Sequence, residues 1–181
     1  MSTFALLSFL QEQEENYLGE LEDIIWAICN EHTRALPAHL GGKSLDVIID
    51  KNIVNEQGKI ESHPRKHRHS IDLFATETDF TLLEIISLLE QKLSSLVYYR
   101  AREEIYERIF KPYTELNNIF HWELLSMNWA AVYSGSIGAA AICLIEENDV
   151  LAAILQRVLN AMEIFLSGFG NDGSCREGLG C

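Results

Sequence analysis

Apolar side chains recur three and four residues apart along most of this chain, the spacing of one face of a helix. Phe4, Leu6, Leu7, Phe9 and Leu10 precede an acidic run and predict a short amphipathic helix over 3–15. Leu21, Ile24, Ile25 and Ile28, with Trp26 adjoining, predict a second helix to about residue 32, ahead of Pro37 and the Gly41-Gly42 loop. From Phe74 to about Leu93 the pattern is apolar on nearly every side, as in a helix enclosed from more than one direction. Ser95 can cap the next, amphipathic helix over 96–110, which Pro112 is expected to halt. An Ala- and Gly-rich helix over about 129–146 follows. The last helix runs over about 150–166, capped by Asp149 and ended by Gly168.

Residues 43–72 break the rhythm. "SLDVIIDKNIV" fits a short strand or a poor helix, "NEQGK" a turn, and the basic run "HPRKHRH" spans His63 to His69. So long an irregular stretch inside a compact domain is uncommon and tends to be functional or disordered. About six helices joined mostly by short connections predict an all-α fold of antiparallel helical hairpins. One domain over 1–181 is expected, with an irregular loop at about 37–72.

Composition narrows the function classes. Apolar residues make up 48% of the chain, enough for a sizeable core. With 14 Lys+Arg against 27 Asp+Glu the net charge is −13, which argues against general binding to nucleic acid or anionic membrane, since those surfaces work by neutralising phosphates. No stretch reaches the roughly 18 apolar residues of a membrane span. The N-terminal run has neither the basic start nor the small-residue cleavage site of a signal peptide. A cytoplasmic protein with reduced thiols is therefore expected. Of the four cysteines, Cys29 and Cys143 lie in apolar helical runs and are expected to be small buried hydrophobes.

Four features can carry chemistry. In "SMNWAAVYSGSIG", Asn128 can cap a helix or offer its amide to a carboxylate, and Trp129 can stack on a flat sugar face or fill the core. The ending "FGNDGSCREGLGC" has glycines enough to bring backbone close to a ligand or to fray as a terminal loop. Its spacing matches no phosphate-binding fingerprint. "HPRKHRH" reads as a solvated basic loop or an anion contact, and nothing at helical spacing supports a zinc site there. His39, in "LPAHL", sits beside a proline turn. No metal or cofactor is expected.

Taken in order, "WAICNEHTRALPAHL", "IDLFATETDFTLLEI", "ERIFKPY", "MNWAAVYSGSIGAAAI" and "FLSGFGNDGSCREGLG" resemble the helical toroid domain of heparinase II/III-like polysaccharide lyases. The resemblance runs from about residue 15 to the end, leaving out 43–66, and its specific pieces are the Asn-Trp segment and the "DGxxxEGxG" tail. It implies part of an incomplete α/α toroid, with the family's C-terminal β-sandwich absent. It also implies β-elimination on a uronic-acid polysaccharide. In that chemistry a donor offsets the C6 carboxylate, a base takes the C5 proton and an acid protonates the leaving O4. By the resemblance Asn128 binds the carboxylate, Trp129 and Glu177 contact or shape the sugar site, and His39 lines the same cleft. The family tail continues "EGxGYW", and Cys181 stands where its tyrosine would be, a poor substitute for a phenol. The chain is thus expected to be a fragment, inactive alone, that binds acidic polysaccharide. It is also expected to self-associate through exposed helix faces. A non-catalytic carbohydrate-binding module and a plain helical-repeat interaction module are the alternatives.

Overall fold

The computed structural model describes residues 17–31, 34, 71–114 and 119–175. Among them are five helices and no strand apart from one isolated bridge, so the fold is all-α as the periodicity predicts. Helix α1 is Leu18–Cys29, α2 is Leu73–Leu88 and α3 begins as Ser95–Ile105. After a 3-10 turn, His121–Leu124, come α4 (Asn128–Leu144) and α5 (Asn148–Leu166).

The helices pack in an order that differs from the chain order. α1 lies on α3, α3 on α2, α2 on α4, and α4 on α5. The sequence pattern explains why α2 is central. Ala75, Leu82, Leu83, Ile85 and Ile86 are all buried, and they spread around the helix because α3 and α4 cover it from different sides. On α4 the small residues Ala130, Gly138, Ala140 and Ala141 are buried, which lets neighbouring backbones come close. A Cβ added to Gly138 would lie 3.4 Å from Val158 Cγ2 on α5.

Several local expectations are corrected. Pro112 does not halt α3: the helix runs on through a π-turn, Tyr106–Phe110, into a last α-turn, Lys111–Thr114, with Pro112 buried inside it. Proline has no N–H to donate and crowds the carbonyl four residues back. A π-turn just upstream shifts the hydrogen-bond register and lets the rod continue. Ser94, not Ser95, is the N-cap of α3. Asn128 and Asp149 are helical residues rather than caps: the N-caps are Met127 and Glu147. Asp149 sits in the first turn of α5, where its charge suits the helix dipole. Cys29 is buried as expected, but Cys143 is exposed. α4 is apolar nearly all round, so periodicity could not tell its inner face from its outer one.

His39, Glu177, Cys181, the run "HPRKHRH" and the predicted helix over 3–15 lie outside the described residues. No described helix is long and apolar enough to cross a membrane.

Candidate functional site

α4 and α5 are joined by three residues, so they run antiparallel and the start of α4 meets the end of α5. At that corner a Cβ on Gly168 would fall 2.9 Å from Ser126 Cβ and 3.1 Å from the Ser126 carbonyl oxygen. Only glycine lets the chain leave α5 this close to the approach to Asn128. Asn128 is the first residue of α4 and is exposed. Trp129 is half-buried, and its ring meets Tyr133 edge to face, with centroids 6.4 Å apart and planes at 89°.

Beyond Gly168 the tail does not fray within the described residues. Phe169 and Cys175 form an antiparallel bridge. Gly170 N donates to the Ser174 carbonyl at 2.8 Å, and Gly173 N to the Gly170 carbonyl at 2.9 Å. Gly173 takes φ +80, a left-handed turn conformation that glycine adopts without steric cost. Asp172 Oδ1 accepts bonds from the Ser174 amide at 3.0 Å and the Ser174 hydroxyl at 2.7 Å, and these bonds hold its carboxyl below the usual range. The loop is thus tied by its own side chains and anchored to the corner by Gly168.

Two clusters that the sequence reading missed support this corner and the opposite end of the layer. Glu123, in the 3-10 turn just before α4, is gripped by Arg157 of α5, whose Nε and Nη2 donate to its two oxygens at 2.7 and 2.6 Å. Glu123 also accepts the Phe120 amide at 2.7 Å and the Tyr113 hydroxyl at 3.4 Å. The Arg157 guanidinium lies 3.9 Å from the Tyr113 ring centroid and donates to the Tyr113 carbonyl. Tyr113, Phe120 and Trp122 stack beside it, and Trp122 meets Tyr133 at 4.7 Å. Arg157 is the lone charge within "VLAAILQRVLNAM". A single charge in so apolar a helix was the available signal for a buried partner.

The second cluster closes the C-terminal end of α1. Arg34, Arg100 and Arg108 donate to the carbonyls of Ile28, Cys29 and Glu31 respectively. Arg34 pairs with Asp79, while Glu104 takes Arg108 at 2.6 Å and Arg100 at 2.8 Å. Cations at this end offset the helix dipole and satisfy its last carbonyls. Burial, then the neighbouring Arg108, lowers the Arg34 pKa to about 10.

Tyr133 lies one turn along α4 from Trp129 and is buried. Its phenol is hydrogen-bonded to Asp72 and to the Leu73 backbone, and burial followed by the Asp72 charge pushes its pKa well above the ordinary phenol value. Both causes favour the neutral, protonated phenol. Among the described residues no group of three His, Cys, Asp or Glu side chains could hold a metal ion. Of the four sequence-predicted site residues, the described structure holds Asn128 and Trp129, side by side at the corner. Comparison with models of known protein families finds no match, and comparison with curated proteins finds none either.

Proposed function

We propose that this chain is the helical part of a uronate-polysaccharide lyase of the heparinase II/III type, with part of an α/α toroid as its frame. In this reading Asn128 donates its amide to the C6 carboxylate of the sugar, and Trp129 supports the ring. The carboxylate then accepts charge as the C5 proton leaves, the C4–O4 bond breaks and a C4=C5 double bond forms. No residue of this chain is assigned the proton transfer, because Cys181 stands at the position of the family's tyrosine. The observation that carries the reading is the corner itself. The stretch just before the Asn-Trp pair and the end of α5 that leads into the glycine-rich tail are far apart in sequence, yet Gly168 abuts Ser126.

A second reading, a carbohydrate-binding module without catalysis, is favoured by Cys181, which stands where the family has its tyrosine. Calorimetry with oligouronates tests both readings at the level of binding. The expected result is binding that Asn128→Ala weakens at least tenfold, roughly the value of one hydrogen bond to a charged group. Equal affinity in wild type and Asn128→Ala, or no binding of any uronate, overturns the role of Asn128. Unsaturated product absorbing in the near ultraviolet separates lyase from binder.

A further inference from the structure

The half-buried indole of Trp129 rests on a ring that is itself held at three points. Tyr133, buried on α4, meets Trp129 edge to face at 6.4 Å. Its ring also lies 4.7 Å from that of buried Trp122. At its far end the phenol is bonded to Asp72 and to the Leu73 backbone, where α2 begins. Asp72 is the N-cap residue of α2, and an aspartate there ordinarily turns its side chain back on the first amides of its own helix. Here the buried carboxylate makes no such bond and serves the phenol instead, so Tyr133 ties the start of α2 to α4.

We infer that Asp72 and Tyr133 are positioning residues for Trp129: the bond between them fixes the Tyr133 ring, and that ring sets the angle at which the indole stands. This rests on the reading of Asn128 and Trp129 as the sugar site. An edge-to-face pair is directional, because the positive edge of one ring seeks the negative face of the other. A ring anchored only by its Cβ keeps its torsional freedom, whereas one bonded through its hydroxyl as well has little left to turn. The order held at the start of α2 therefore reaches the indole through one intervening side chain.

Tyr133→Phe keeps the ring and removes only the hydroxyl. Calorimetry with oligouronates should show binding weakened about two- to tenfold, the range of one neutral hydrogen bond. The same substitution on top of Trp129→Ala should weaken binding no further, since a residue acting through Trp129 has nothing left to act through. Equal losses in both backgrounds would mean a merely structural role and overturn the inference. A ligand-free readout separates this outcome from failure of the sugar reading. The difference in emission between wild type and Trp129→Phe isolates this indole among the three tryptophans. With Tyr133→Phe in both, that difference should move to longer wavelength as the indole loosens into water. If no uronate binds the wild type, the sugar reading falls; a shifted emission still upholds the positioning role, and an unmoved one overturns it. Should Tyr133→Phe fail to fold, Asp72→Ala removes the same bond without removing a cap bond of α2. Asp72→Asn keeps an oxygen for the phenol and should restore wild-type behaviour in both measurements.

Discussion

Gly168 and the pair Glu123–Arg157 set the position of Asn128, and none of the three needs to touch a ligand to do so. At Gly168 an added methyl has nowhere to go, because Ser126 and the Phe165 carbonyl stand within about 3 Å of it. Gly168→Ala is therefore expected to lose about 1–3 kcal/mol of stability, the usual range for overpacking, read as a lower denaturant midpoint. An unchanged midpoint would show that the corner is slack. Arg157→Ala leaves Glu123 buried without its counter-charge. Removing one partner of a fully buried pair costs about 3–5 kcal/mol, and Arg157 keeps a quarter of its side-chain surface in water, so a loss of about 2 kcal/mol is expected. The double variant Glu123→Ala with Arg157→Ala should lose less than the two single losses added together, and strict additivity in that cycle would deny the coupling. By residue type alone Asn128 and Trp129 read as a helix cap and a core aromatic, and it is the resemblance that marks them. Glu123 was not legible, since a glutamate in "HWELL" looks like any solvated acid until Arg157 comes to meet it.

At the scale of elements, periodicity located the helices well and their ends poorly. α2 stops at Leu88, about five residues short of its predicted end near Leu93, while the bounds of α1, α4 and α5 fall within about three residues of the predicted ones. α3 does not, because the π-turn at Tyr106–Phe110 lets the rod run past Pro112, and a hydrophobic pattern carries no trace of that change of register. The face of α4 was equally hidden. Its small residues are apolar on every side, and only contact with α2 and α5 separates buried Ala141 from exposed Ile142 and Cys143. Ala141 has no surface left, so Ala141→Leu should force the helices apart and lose about 1–3 kcal/mol. Thermal melting checks this, and a wild-type melting temperature would mean that α4 packs more loosely than described.

For the molecule as a whole, the buried phenols predict how stability depends on pH. Burial, then the nearby carboxylate, pushes the pKa of both Tyr113 and Tyr133 well above the ordinary 10.0. Below pH 10 both are neutral whether folded or unfolded, and their contribution is fully present. Above it the unfolded chain gives up protons that the folded chain keeps, so stability falls as pH rises. Urea titrations at successive alkaline pH values should show this loss, with a shallower slope in Tyr133→Phe; an equal slope would mean that the phenol is not sheltered. The all-α class and five of the six expected helices came from the sequence by itself, because spacing and side-chain type act locally. Which helices touch, that Pro112 is tolerated, that Glu123 is gripped by Arg157, and that Gly168 at the end of α5 abuts Ser126 were decided only in three dimensions. Each depends on groups far apart in the chain that must share one space, and local pattern holds no record of that.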